Sequence, residues 1–429
     1  MLLMKFMIYT LGCKVNAYES EVMKEKLLAN HYVYEENTPD IVIINTCSVT
    51  NIADQKSRKM VRHFKKLYPN STLVVAGCSS FHKQEEYQKM GIDILLGNQQ
   101  KGKIVELLEN YFETQKPYVF FPDTRQLPFE DMQIDKFTTH TRAYVKIQDG
   151  CDNFCSYCVI PYVRGSIRSK DFHSALKEIE TLVKNGHQEI VLTGIHTGSY
   201  GYNTEHDLTD LIHEMSKLEK LKRIRISSIE VTELNDKFLD ELARNPKICN
   251  HLHIPLQAGS DEILKQMNRK YTLKEFSNKI KKIREIRPDI SITTDVIVGF
   301  PGETEELFLK TMKTVKEFAF SKIHVFPYSV REGTKAAIMP HQVSKEEKHE
   351  RSKRLIALSE ELENKYAQKF LGKTLEVLIE KNSEGFTSNY LKVKSQTPLE
   401  NNTLVFLKIT NIIKGECLGE LTIKETSKT

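Results

Sequence analysis

The sequence predicts an α/β protein in three parts: an N-terminal open α/β unit, a central partial (βα)6 barrel and a small C-terminal β-barrel. Three observations carry that expectation. Short β-branched or Leu-rich runs alternate with helix-period patterns through residues 1–122. Six further repeats of strand then helix run from residue 143 to about 340. The stretch from 372 to 424 has short strand-like runs and no helical period.

The elements follow in order. The apolar start, residues 1–10, has no small-residue cleavage site and reads as a first strand, not a signal peptide. Strands are expected over 5–10, 41–45, 73–76 and 92–96, with helices near 18–30, 52–67 and 101–112. In such open sheets the functional crevice lies beyond the carboxyl ends of the strands. Cys13, Cys47 and Cys78 each follow a strand by a few residues or fewer, so the fold should bring these distant thiols to one edge. Residues 122–140 are polar, contain proline and lack periodicity, as a linker does.

Barrel strands are expected over 143–147, 189–192, 223–227, 252–256, 291–298 and 322–326. Leu208, Leu211, Ile212 and Met215 mark a buried helical stripe, as do Phe276, Ile280 and Ile283. Loops after barrel strands build active sites. Here they hold a cysteine run, then 193–201, 228–230, 257–260, 299–303 and 327–331, rich in glycine, hydroxyls and charge. A charged helix over 344–370 leads to strands at 375–380, 390–393, 404–413 and 419–423. The domain limits expected are 1–122, 137–368 and 370–429.

Composition narrows the class. With 28% charged and 40% hydrophobic residues over 429 positions, the chain reads as soluble and globular. No run of about 18 apolar residues is present, so no membrane partner is expected. Eight cysteines, clustered in a long chain, point to metal binding in a reducing cytoplasm before disulfides. The net charge of +5 only leans toward nucleic acid. The basic stretches 56–66 and 274–287 are open to RNA contact or to plain solvation.

The densest signal is Asp-Gly-Cys-Asp-Asn-Phe-Cys-Ser-Tyr-Cys, which holds Cys151, Cys155 and Cys158. Three thiolates this close can hold three irons of a four-iron cluster and leave the fourth open. The competing reading is zinc, which normally takes four N/S ligands; no histidine lies close in sequence. Cys13, Cys47 and Cys78 are less specific by spacing, and three buried core thiols would look the same. Their neighbours, glycines and hydroxyls, suit hydrogen bonding to sulfur. Cys249 and Cys417 stand alone and read as packing residues. His196 and His253 are equally open to supporting a cofactor site or to ordinary packing.

Together the motifs Leu11-Gly-Cys-Lys-Val-Asn16, Asn45-Thr-Cys47, Ala76-Gly-Cys78 and Gly150-Cys151 through Cys158-Val-Ile-Pro-Tyr-Val-Arg-Gly165 resemble the radical S-adenosylmethionine (SAM) methylthiotransferase family. The resemblance covers nearly the whole chain. It implies an N-terminal methylthiotransferase domain, a radical-SAM partial barrel and a C-terminal TRAM RNA-binding domain. It also implies two 4Fe-4S clusters, one on Cys151, Cys155 and Cys158 and an auxiliary one on Cys13, Cys47 and Cys78. The 11–16 motif and Thr-Gly-Ile-His-Thr-Gly-Ser-Tyr-Gly over 193–201 resemble members acting on N6-threonylcarbamoyladenosine in tRNA, 3′ of the anticodon. Ala17 departs from the Gln expected there.

The activity so implied is methylthiolation of adenine C2 by radical chemistry with two SAM per turnover. A sulfur donor and a reductase or flavodoxin-type electron donor would be partners beside tRNA. SAM contacts are expected at Tyr157, Thr193, Gly194, Ser228, Glu230, Asp295, Val298 and Phe326, with a plain core role as the competing reading for Val298 and Phe326. Phe386 and Tyr390 would grip RNA or else fill the small barrel. The alternative functions are methylthiolation of a ribosomal-protein aspartate and non-catalytic RNA binding by a metal-cluster protein.

Overall fold

The computed structural model describes residues 3–422 apart from 124, 126 and 139. The N-terminal sheet has six parallel strands, in the spatial order Val33–Tyr34, Lys5–Thr10, Ile41–Thr46, Thr72–Gly77, Ile94–Leu96 and Tyr118–Phe120. Every residue of Ile41–Thr46 is buried, as a central parallel strand covered on both faces must be. The two outermost strands were not expected; they are short edge strands with no buried residue to mark them. Helix Lys14–Ala29 starts earlier than expected because Cys13 is its N-cap.

The six barrel strands are Ala143–Lys146, Glu189–Thr193, Arg223–Ile226, His251–His253, Ser291–Val298 and Lys322–Pro327. They form two parallel three-stranded ladders. Parallel bridges Ile224–Ile248 and Ser228–His253 join them into one curved run. The fourth strand stops at His253, short of the expected 256; Pro255 has no N–H to extend the ladder. One apolar core fills this barrel and the layer under its helices.

The 122–140 segment has no regular secondary structure among its described residues, as expected, yet it is no free tether. Met132, Ile134 and Phe137 are buried in the central core, and Tyr18 donates to the Met132 carbonyl at 2.6 Å. None of the described helices is long and apolar enough to cross a membrane.

Helix Lys345–Gln368, capped by the reciprocal Ser344–Glu347 pair, leads into a closed five-strand barrel. Its second strand, Glu384–Thr387, lies between the expected strands 375–380 and 390–393 and was not itself expected. Gly385 makes that strand possible: a Cβ there would lie 2.0 Å from the Leu378 carbonyl oxygen. Tyr390, expected in a strand, sits at φ +65° in the turn that follows. The expected strand 419–423 runs past the described residues at 423. Phe386 and Tyr390 stack on each other at 5.0 Å and face the central barrel. Arg142 lies 4.8 Å from the Phe386 ring, while Arg225 and the His251 ring lie 4.7 and 4.6 Å from Tyr390. These aromatics dock the small barrel and are not free RNA platforms.

Candidate functional site

Three strand ends converge at the carboxyl edge of the N-terminal sheet. Cys13 follows Lys5–Thr10, Cys47 follows Ile41–Thr46 and Cys78 follows Thr72–Gly77. Gly12, at φ +101°, makes the approach possible, since a Cβ there would stand 2.7 Å from the Cys47 sulfur. Asn16 Nδ2 donates to the Leu11 and Thr46 carbonyls at 2.8 and 2.9 Å and pins two of the loops. Burial pushes the Cys47 thiol up to about 12 and the Cys78 thiol up as well. Such thiols ionise only beside a strong positive charge, which a metal supplies.

The second triad lies on the loop after the first barrel strand. Cys158 N–H donates to the Cys155 carbonyl at 3.0 Å, and Cys151 N–H donates to the Gly165 carbonyl at 3.0 Å. Burial likewise raises the Cys158 thiol to about 12. Each triad has a guanidinium on one sulfur. Arg269 Nη1 lies 3.4 Å from Cys155 Sγ, and Arg164 Nε lies 3.2 Å from Cys78 Sγ. His196 Nδ1 is 4.0 Å from Cys151 Sγ, and its Nε2 is 2.7 Å from Glu233.

A cavity of about 180 Å³ opens between the two regions. Val49 and Thr50, just past Cys47, form one wall, and Tyr157, Cys158, Asp295 and Phe326 form the other. Arg331 closes it, buried and paired with Asp54 across the seam, while Asn51 Nδ2 donates to the Val330 carbonyl at 2.6 Å. The cavity lies between the two cysteine regions, at the carboxyl ends of both sheets.

Relatives and known folds agree with this geometry. The Radical SAM superfamily model matches residues 145–315, and the model of the uncharacterized protein family UPF0004 matches residues 5–97. The chain is 42% identical over 400 residues to the threonylcarbamoyladenosine tRNA methylthiotransferase MtaB of Bacillus subtilis (strain 168), covering 90% of this chain and 89% of that one. The Thermotoga maritima protein of the same name is 37% identical over 375 residues, 87% and 86% of the two chains. A tRNA-2-methylthio-N(6)-dimethylallyladenosine synthase of Thermoanaerobacter sp. (strain X514) is 37% identical over 403 residues, 91% and 85% of the two.

The chain belongs to the radical-SAM tRNA methylthiotransferase family.

Its fold is shared with the radical S-adenosylmethionine methyltransferase TsrM of Kitasatospora setae, solved with cobalamin and a 4Fe-4S cluster bound. That match has a TM-score of 0.59 and 14% identity, and covers 79% of this chain and 77% of that one. The family's cofactors are 4Fe-4S clusters and SAM, and the donor set fits iron clusters better than zinc. Among the described residues, the group of three metal-capable ligand atoms within 4.8 Å of one another is His253, Asp295 and His324. Neither cysteine triad closes that far. Structural zinc normally takes four N/S ligands, whereas a set of three thiolates matches a four-iron cluster with one iron left open.

The remaining expected residues divide. Tyr157, Asp295 and Phe326 line the cavity. Asp295 is braced by His253, whose Nε2 lies 3.2 Å away and whose Nδ1 meets Thr293 Oγ1 at 2.9 Å. Thr193 ends the second barrel strand and Gly194 follows it; Gly194 abuts Gln148, whose Oε1 accepts the His196 N–H at 2.7 Å beside Cys151. Ser228 bridges to His253. Glu230 is held by Arg269, the neighbour of Cys155. Val298 is not among the residues lining the cavity; its side chain is fully buried in the barrel core and its carbonyl accepts from Tyr328 N–H. Sequence reading assigned no role to Arg164, Arg269 or Arg331. Arg164 stands inside the motif ending at Gly165 and Arg331 ends the loop 327–331 expected to build the site; Arg269 has no such local signal.

Proposed function

We propose that this protein methylthiolates C2 of N6-threonylcarbamoyladenosine in tRNA, next to the anticodon on its 3′ side. The observation that carries the reading is the cavity with one cysteine region on each side, in a chain whose relatives bear that substrate in their names. In this reading Cys151, Cys155 and Cys158 hold the cluster that binds SAM, and Cys13, Cys47 and Cys78 hold the auxiliary one. Residues 1–122, 137–368 and 370–429 are taken as the methylthiotransferase, radical-SAM and TRAM domains. A sulfur donor, an electron donor and a cytoplasmic setting belong to the same proposal.

When bound, the barrel cluster and SAM supply a carbon-centred radical able to take hydrogen from an unactivated C–H, which no side-chain base can do. The chain's own residues do the positioning. Tyr157 and Phe326 give the cavity apolar walls. Asp295, oriented by His253, offers a fixed acceptor for a hydroxyl or amine of the bound molecules. Arg331 and Asp54 hold the N-terminal edge over the barrel mouth, which fixes the separation of the two triads.

Nucleoside mass spectrometry of tRNA from cells with and without the gene tests the reading. Loss of 2-methylthio-threonylcarbamoyladenosine alone is the expected result. Loss of the 2-methylthio-dimethylallyl nucleoside would move the substrate, as would unchanged tRNA with an altered ribosomal protein.

A further inference from the structure

Arg164 is fully buried and is placed to act on both triads. It ends the short helix Ile160–Arg164, which begins two residues after Cys158, and the carbonyl of the next residue, Gly165, accepts from Cys151 N–H. Its side chain points the other way, into the N-terminal region. Nε donates to Cys78 Sγ at 3.2 Å, Nη1 reaches Glu19 and Asp149 at 3.1 Å each, and Nη2 donates to Asn16 Oδ1 at 3.0 Å. Asn98 fixes the same seam, with Nδ2 donating to the Val163 carbonyl at 2.9 Å and Oδ1 3.6 Å from Cys78 Sγ.

The charges around it do not cancel. Arg164, Lys146 and Lys101 face Glu19 and Asp149, three cations against two carboxylates. Adding Arg168, 3.8 Å from Asp149, and Glu130, close enough to interact with Lys146 and Lys101, makes it four against three. A surplus positive charge inside a protein is costly unless an anion meets it. The sulfur that Arg164 touches supplies that anion once Cys78 is a thiolate ligand.

We infer that Arg164 is a positioning residue that raises the reduction potential of the N-terminal cluster through its N–H to Cys78 sulfur, and fixes that cluster against the barrel triad. The inference rests on Cys13, Cys47 and Cys78 holding a cluster. Hydrogen bonds to ligand sulfur and nearby positive charge both favour the more negative, reduced cluster. Glu19 and Asp149 hold the guanidinium in place, so the arginine cannot swing away when the cluster changes charge.

The test is a redox titration followed by electron paramagnetic resonance on the full chain. The Cys151→Ala/Cys155→Ala/Cys158→Ala background leaves only the N-terminal cluster to report. Arg164→Met should cut the reduced-to-oxidised ratio at a fixed potential about tenfold, which is ~59 mV for one electron. Arg164→Lys keeps the charge without the guanidinium and should shift it less in the same direction. Asp149→Asn cuts the same network, leaves the sulfur contact and removes a negative charge, so its potential should hold or rise. A merely structural arginine would move Arg164→Met and Asp149→Asn together, or leave the potential unchanged; either result overturns the inference. Should both Arg164 variants lose the cluster while Asp149→Asn keeps it, the sulfur contact is again the cause. Loss in all three counts against it. If the background itself binds no iron, the reading of the N-terminal triad falls, and this inference with it.

Discussion

The two cysteine triads reach similar surroundings by opposite routes. Cys151, Cys155 and Cys158 come from one loop, while Cys13, Cys47 and Cys78 come from three strand ends far apart in the chain. Each triad has at least one thiol pushed upward by burial and one arginine on one sulfur. The difference lies in what holds the set together. The barrel triad is fixed by loop geometry and survives any change that leaves its loop intact. The N-terminal triad depends on sheet register, since a one-residue slip would turn a strand's side chains to the opposite face. A locally encoded site is robust and legible; an assembled one is fragile and needs outside bracing.

The largest effects should come from removing ligands, and they should separate the triads. Cys155→Ala should abolish SAM cleavage under dithionite, while Cys47→Ala should keep cleavage and lose methylthio product. Each variant should fall from about eight to about four irons per chain, the loss of one four-iron cluster. Iron analysis with 5′-deoxyadenosine release measures both. If Cys47→Ala abolished SAM cleavage too, the two triads would not be separate sites.

The next effect tests the bracing between the regions. Asp54 and Arg331 are both 2% exposed, so Asp54→Ala leaves a buried guanidinium without its carboxylate. Breaking such a pair costs about 3–5 kcal/mol. The urea midpoint should fall, and product should drop more than SAM cleavage because the cavity loses its clamp. Equal losses would mean that the pair holds up the barrel and not the seam.

Gly12→Ala sharpens the same contrast at a smaller cost. At φ +101° an alanine is strained by about 1–3 kcal/mol, and its Cβ would also meet the Cys47 sulfur at 2.7 Å. The expected outcome is loss of the N-terminal cluster alone, seen as a roughly halved iron content with SAM cleavage intact.

The contrast also explains what the sequence could disclose. All six barrel strands and four of the six N-terminal strands were legible, and each of these contains at least one buried apolar residue. The convergence of Cys13, Cys47 and Cys78 followed from the rule that open α/β sheets work at their strand ends. Val33–Tyr34 and Tyr118–Phe120 did not show because these edge strands bury no residue, and Glu384–Thr387 was hidden by a glycine that normally signals a turn. Arg164, Arg269 and Arg331 were illegible for a different reason. Each finds its partner 39 to 277 residues away through tertiary packing, as in Arg164–Cys78, Arg269–Glu230 and Arg331–Asp54, and a lone arginine carries no periodicity.

The smallest effect is expected at the two remaining cysteines, and it tests whether burial alone makes a ligand. Cys249 and Cys417 are fully buried, and burial pushes each thiol up to about 11. By burial alone they match Cys78. They differ in company, because Cys249 starts no cluster of sulfurs and Cys417 lies within the core of the small barrel, far along the chain from any other cysteine. Cys249→Ala and Cys417→Ala should each lose only packing, about 1 kcal/mol for one buried sulfur. Iron content should stay at about eight per chain in both. A fall in iron in either variant would show that a distant thiol serves a cluster, and the division of the six ligands into two sets of three would have to be redrawn.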